Sequence, residues 1–78
     1  MYTQCKYVVM KDGDYENIFV FSSKVVHKAV AKRMDGVIVS AGFVAKDDTG
    51  KLYCQGHSES LRVGWREEDN ILLRSLFI

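Results

Sequence analysis

A chain of 78 residues that is 47% hydrophobic and 27% charged has the composition of an ordinary globule, which excludes a disordered or collagen-like polymer. Its formal net charge of +1 and sequence pI of about 7.8 fall short of the strongly basic balance of a dedicated nucleic-acid domain. No stretch approaches the roughly 18 uninterrupted apolar residues of a membrane-spanning helix, and the start lacks a signal-peptide pattern, so a cytoplasmic protein without membrane attachment is expected.

The length implies a single domain over residues 1–78, because a chain of this size buries only about 60% of its unfolded surface and supports one core. Below about 80 residues such a core commonly needs disulfides, a metal or association. Two cysteines, Cys5 and Cys54, are too few for a disulfide framework and are expected as reduced, buried thiols. No cofactor is implied by any motif. Association, as a homodimer, is therefore the expected support.

In chain order, Thr3 to Met10 alternates weakly and predicts a first strand, with Lys11-Asp12-Gly13-Asp14 as a hairpin turn. Glu16 to Phe21 predicts a second strand that is apolar on both sides. Ser22-Ser23 breaks the pattern, and Lys24 to Met34, free of Gly and Pro, predicts a helix closed by Asp35-Gly36. Val26, Ala29, Val30 and Met34 share one side of that helix. Gly36 to Ala45 is the longest weakly polar run and predicts a central strand covered on both faces. Within it, Val37, Val39, Ala41 and Phe43 are expected to meet the helices, leaving the small Ser40 and Gly42 side open to close approach by a second subunit. Asp47-Asp48-Thr49-Gly50 predicts a second hairpin turn and Lys51 to Ser58 a fourth strand. Acidic residues Glu67, Glu68 and Asp69 open a final helix and complement its dipole, and the helix is apolar around most of its circumference. The expected fold is α+β: a mostly antiparallel four-stranded sheet in the order ββαββα, with both helices on one face. The other face would turn residues such as Tyr7, Phe19 or Tyr53 outward.

Residues 22 to 33 carry four cations and no acid, whereas residues 1–21, 34–58 and 59–78 each have one more acid than base. Lys24, Lys28, Lys32 and Arg33 could therefore contact nucleic-acid phosphates, although a solvated helix face is the commoner meaning of such a stripe. Cys5, His27, Cys54 and His57 provide metal-ligand types, but positions 54 and 57 would point to opposite faces of a strand. His57-Ser58-Glu59-Ser60 holds nucleophile and base types without a nucleophile elbow, and no Gly-rich phosphate loop occurs. An enzyme is not expected. Trp65 beside Arg66 has the composition of an interface anchor, and with Tyr53 and Phe77 it makes the expected protein-contact set.

Lys6-Tyr7-Val8-Val9, Asn17-Ile18-Phe19-Val20-Phe21, His27, Ser40-Ala41-Gly42-Phe43-Val44 and Cys54-Gln55-Gly56-His57-Ser58-Glu59-Ser60-Leu61 together resemble small uncharacterised proteins encoded in bacteriophages and prophages. The resemblance implies a small accessory protein that works by binding a host or phage protein. In that pattern a Ser and a Pro commonly open the last helix. This chain has Trp65 and Glu67 there and contains no Pro, so the start of that helix departs from the group.

Overall fold

The computed structural model describes residues 5–34 and 36–76. It is an α+β fold whose main sheet has four antiparallel strands: β1 (Cys5–Asp12), β2 (Tyr15–Phe21), β3 (Val37–Lys46) and β4 (Leu52–Gln55), in the spatial order β2-β1-β3-β4. Helix α1 (His27–Ala31) joins β2 to β3. Two short strands absent from the expected order, β5 (His57–Ser58) and β6 (Val63–Gly64), pair with each other before the last helix, α2 (Asp69–Ser75). Among the described residues, no helix is long and apolar enough to cross a membrane.

Local chemistry explains where the elements begin and end. Asp12 pairs with Tyr15, so the first hairpin closes on Gly13-Asp14, and the positive φ of 62° at Gly13 suits the first central position of a type II′ turn. The predicted Lys24–Met34 helix shrinks to five residues because the Ser22 hydroxyl accepts the Lys24 N–H at 3.2 Å and the Ser22 carbonyl accepts that of Val25. A serine engaged in its own turn cannot cap the helix. At the other end, the Arg33 and Met34 amides bond three residues back and tighten the last turn. The predicted fourth strand breaks at Gly56, which takes φ 77° with the Phe43 ring against its α-carbon, so a side chain there would meet both strain and the ring.

Cross-strand partners share a face, which separates the residues into two sets. Tyr7, Val9, Ile18, Val44 and Cys54 lie on one face and form the core with Leu73 of α2. Lys6, Phe21 and Phe43 lie on the other, where the His27 ring of α1 makes edge contacts with Phe21 and Phe43 at centroid distances of 5.6 Å. The helices therefore cover opposite faces, not one. The physical reason is that both faces of β1 and β3 are apolar, so each needs cover, and Val8 and Ala41 on the α1 side are as fully buried as Tyr7 on the α2 side. A register shift of β1 against β3 between Val9 and Met10 makes Val39 an extra residue and lets it pack at the rim of the core.

Ser40 and Gly42, expected on an open side, face α2 and are buried. A β-carbon at Gly42 would run into the Gln55 carbonyl and come within 3.2 Å of the Tyr7 ring. Gly42→Ala is accordingly expected to lose about 1–3 kcal/mol of stability through overpacking; an unchanged urea midpoint would show that β3 and β4 relax freely at this point.

Candidate functional site

The densest group of polar side chains lies at the start of α2, beneath the sheet. Asp69 is fully buried, and its carboxyl accepts from the Tyr7 hydroxyl at 2.6 Å, the Ser40 hydroxyl at 2.9 Å, the Arg66 backbone N–H at 2.9 Å and the Arg66 guanidinium at 2.8 and 3.0 Å. Asp69 is the first residue of α2, and its reach back to the Arg66 amide closes the turn that leads into the helix. Arg66 then spans to Glu16 on β2 at 2.7 Å. Next to Asp69, the Asn70 side chain accepts the Cys54 N–H at 2.8 Å.

The electrostatics of this group keep it closed. Burial, reinforced by the Asp69 hydrogen bond, pushes the Tyr7 hydroxyl far above its ordinary value, so it remains a donor. The Arg66 hydrogen bond holds Glu16 below the usual carboxylate range, and Glu16 in turn raises Arg66, which stays charged. Burial pushes the Cys54 thiol up to about 11, which leaves it a poor nucleophile. Among the described residues, no buried side-chain N or O lacks a partner. A network saturated in this way positions α2.

A second polar site opens on the α1 face. The buried His27 donates through Nε2 to the Gly42 carbonyl at 2.8 Å. That bond fixes the tautomer and leaves Nδ1 as the acceptor. Desolvation lowers its pKa, the bond to Gly42 opposes this, and nearby Lys6 lowers it further. His27 forms part of the wall of a cleft of about 420 Å³ with Lys6, Phe43, His57 and Glu59. The Lys6 ammonium is tied to the Val25 carbonyl at 3.0 Å. Ser58, one residue from His57, is buried and shares its hydroxyl with Ser60 and the Leu61 N–H. The sequence pairing of His57 with Ser58 is therefore not a base set against a nucleophile. Cys54 lies on the α2 face and His27 on the α1 face, and no group of three or more His, Cys, Asp or Glu among the described residues could hold a metal ion.

Of the residues expected to contact a partner, Tyr53, Trp65 and Arg66 are among the described residues. Arg66 is turned inward onto Asp69 and Glu16, which corrects its expected role as an exposed anchor: the guanidinium is needed to neutralise a buried acid. Trp65 remains 43% exposed, with its amide held by the Gly56 carbonyl. Tyr53 is exposed beside Ala45 on the α1 side of the sheet, and Phe77 lies outside the described residues. Tyr7, expected outward, is fully buried. Lys24, Lys28, Lys32 and Arg33 are all exposed, but only Lys28 lies within α1. A larger apolar groove of about 660 Å³ escaped the sequence reading; Met10, Phe19, Val25, Val30 and Met34 contribute to it, and Arg33 also lines it. Its sequence signals were the apolar side of the predicted helix, with Ala29, Val30 and Met34, and a second strand that is apolar on both sides.

Two measurements check these assignments. Arg66→Met leaves Asp69 buried without its cation and is expected to cost about 3–5 kcal/mol in urea denaturation, whereas Tyr7→Phe removes one donor and costs about 1–3 kcal/mol. Equal, negligible effects would refute the buried network. His27 is neutral in the fold but titrates near 6.5 when unfolded, so stability is full above that pH and falls as pH drops below it. Denaturation midpoints from pH 8 to pH 5 are expected to show this loss and to flatten over the same interval in His27→Gln; Glu16, whose pKa is lowered, adds its own loss only at more acidic pH. Comparison with protein-family models, curated proteins and solved structures gave no match to this chain, so its function rests on the geometry described above.

Proposed function

We propose that this chain is a non-enzymatic interaction protein that self-associates as a homodimer in the cytoplasm and presents its α1 face to a host or phage protein. The observation that carries this reading is the apolar surface around α1: the groove of about 660 Å³ includes Phe19 and Val25, 39% and 38% exposed, and Val26, 54% exposed, lines the other cleft beside His27. Large contiguous apolar surface on a small domain marks a contact region. Arg33 and Asp12, which also line the groove, supply polar groups of the kind found around such interfaces. The polar network under α2 supports the same reading from the other side, since its groups are occupied in holding the fold together. The resemblance to phage-encoded accessory proteins suits a partner drawn from the host or the phage.

Sedimentation velocity at micromolar concentrations is expected to show a dimer, and Phe19→Asp is expected to weaken it by about tenfold or more, equivalent to about 1.4 kcal/mol. A strict monomer at every concentration would overturn the homodimer.

A second reading has its own observation. Lys24, Lys28, Lys32 and Arg33 are exposed, and none forms an ion pair among the described residues. A four-cation surface could bind nucleic-acid backbone weakly, with a log–log salt slope no steeper than about −4. Fluorescence polarisation of a labelled DNA duplex and a single strand at low ionic strength checks this, and no change at any protein concentration would remove it.

A further inference from the structure

The main sheet has two edges, and they are treated differently. β4 is only four residues long, and its Cys54 N–H is taken by Asn70 of α2, so that edge is short and guarded. β2 runs for seven residues in unbroken register with β1 and carries no proline, no lysine and no bulge. Because a two-residue hairpin makes Asp12 and Tyr15 a hydrogen-bonded pair, bonding alternates along the ladder. Tyr15, Asn17, Phe19 and Phe21 then bond inward to β1, and the backbone N–H and C=O groups of Glu16, Ile18 and Val20 point outward. No other described strand occupies that side.

We propose that β2 is the homodimerisation edge, pairing antiparallel with β2 of a second copy about a two-fold axis at Ile18. The inference rests on the self-association reading above and names its surface. The edge is self-complementary in this register: the outward groups of residues 16, 18 and 20 meet those of 20, 18 and 16 in the partner copy, three hydrogen-bonded pairs closed by symmetry. Charge selects the same arrangement. The acidic turn region of Asp12 and Asp14 at one end of β2 meets the exposed Ser22 and Lys24 at the other end of its mate. Parallel pairing would bring acidic turn against acidic turn. On the α1 side, Tyr15, 78% exposed, falls opposite Phe21, and Phe19 falls opposite Asn17. The two apolar grooves, each containing Phe19, then adjoin across the axis of an eight-stranded sheet.

Asn17 and Phe19 of opposing copies form a non-hydrogen-bonded pair, whose close α-carbons suit a disulfide. In a Cys5→Ser background, the double variant Asn17→Cys with Phe19→Cys is expected to convert to a covalent dimer in a glutathione redox buffer, while each single variant does so far less. As a check on the unaltered strand, amide exchange of Glu16, Ile18 and Val20 in the wild type is expected to slow by about tenfold or more between dilute and dimeric concentrations. A wild-type dimer with these amides unprotected and no preferential crosslink would overturn the β2 register while leaving self-association standing. A wild type that stays monomeric would overturn both. Protection of these amides only on adding a strand-forming peptide, with the protein otherwise monomeric, would replace the second copy by a foreign strand and overturn the proposal.

Discussion

The buried carboxyl of Asp69 is the constraint on which the structure depends. An acid at zero exposure is tolerated only when donors surround it, and here the donors come from separate parts of the chain: Tyr7 from β1, Ser40 from β3 and Arg66 from the segment entering α2. Arg66 carries the connection to Glu16 on β2, and Asn70 carries it to Cys54 on β4. The first turn of α2 is thus hydrogen-bonded, directly or through one side chain, to every strand of the main sheet. Such a hub specifies the docking of the helix more sharply than apolar contact can, because a shift of one residue would strand a buried charge.

The opposite face follows another rule. α1 has five residues and no side-chain cap, and it is fixed chiefly by His27 standing between Phe21 and Phe43 with one bond to the Gly42 carbonyl. A helix this short covers the centre of the face, over Val8 and Ala41, but leaves its margin apolar and open. The division is physical: the α2 face is closed by a saturated polar network, and the α1 face keeps apolar area exposed. The unguarded edge of β2 borders both faces, so pairing there would extend the sheet without disturbing the network beneath it.

The chain by itself determined what local chemistry controls. Strands at β1, β2 and β3 were legible from alternation and β-branched runs, the first hairpin from its Lys11–Asp14 turn signal although it closes one residue later on Gly13-Asp14, and the α+β class with an antiparallel four-stranded sheet from the sequence of elements. Only the tertiary structure decided which face each element covers, because a strand apolar on both sides gives no signal for choosing between them. It decided the length of α1, where Ser22 folded into its own turn instead of capping the helix. Above all it decided the roles of Tyr7, Ser40, Arg66 and Asp69. In sequence these are a strand tyrosine, a small strand residue, a basic neighbour of Trp65 and one of three acids at a helix start. Tyr7 and Asp69 stand 62 positions apart, and no local pattern encodes a bond across that separation; it exists because the sheet and α2 bring the two groups into one buried space where each is the partner the other requires.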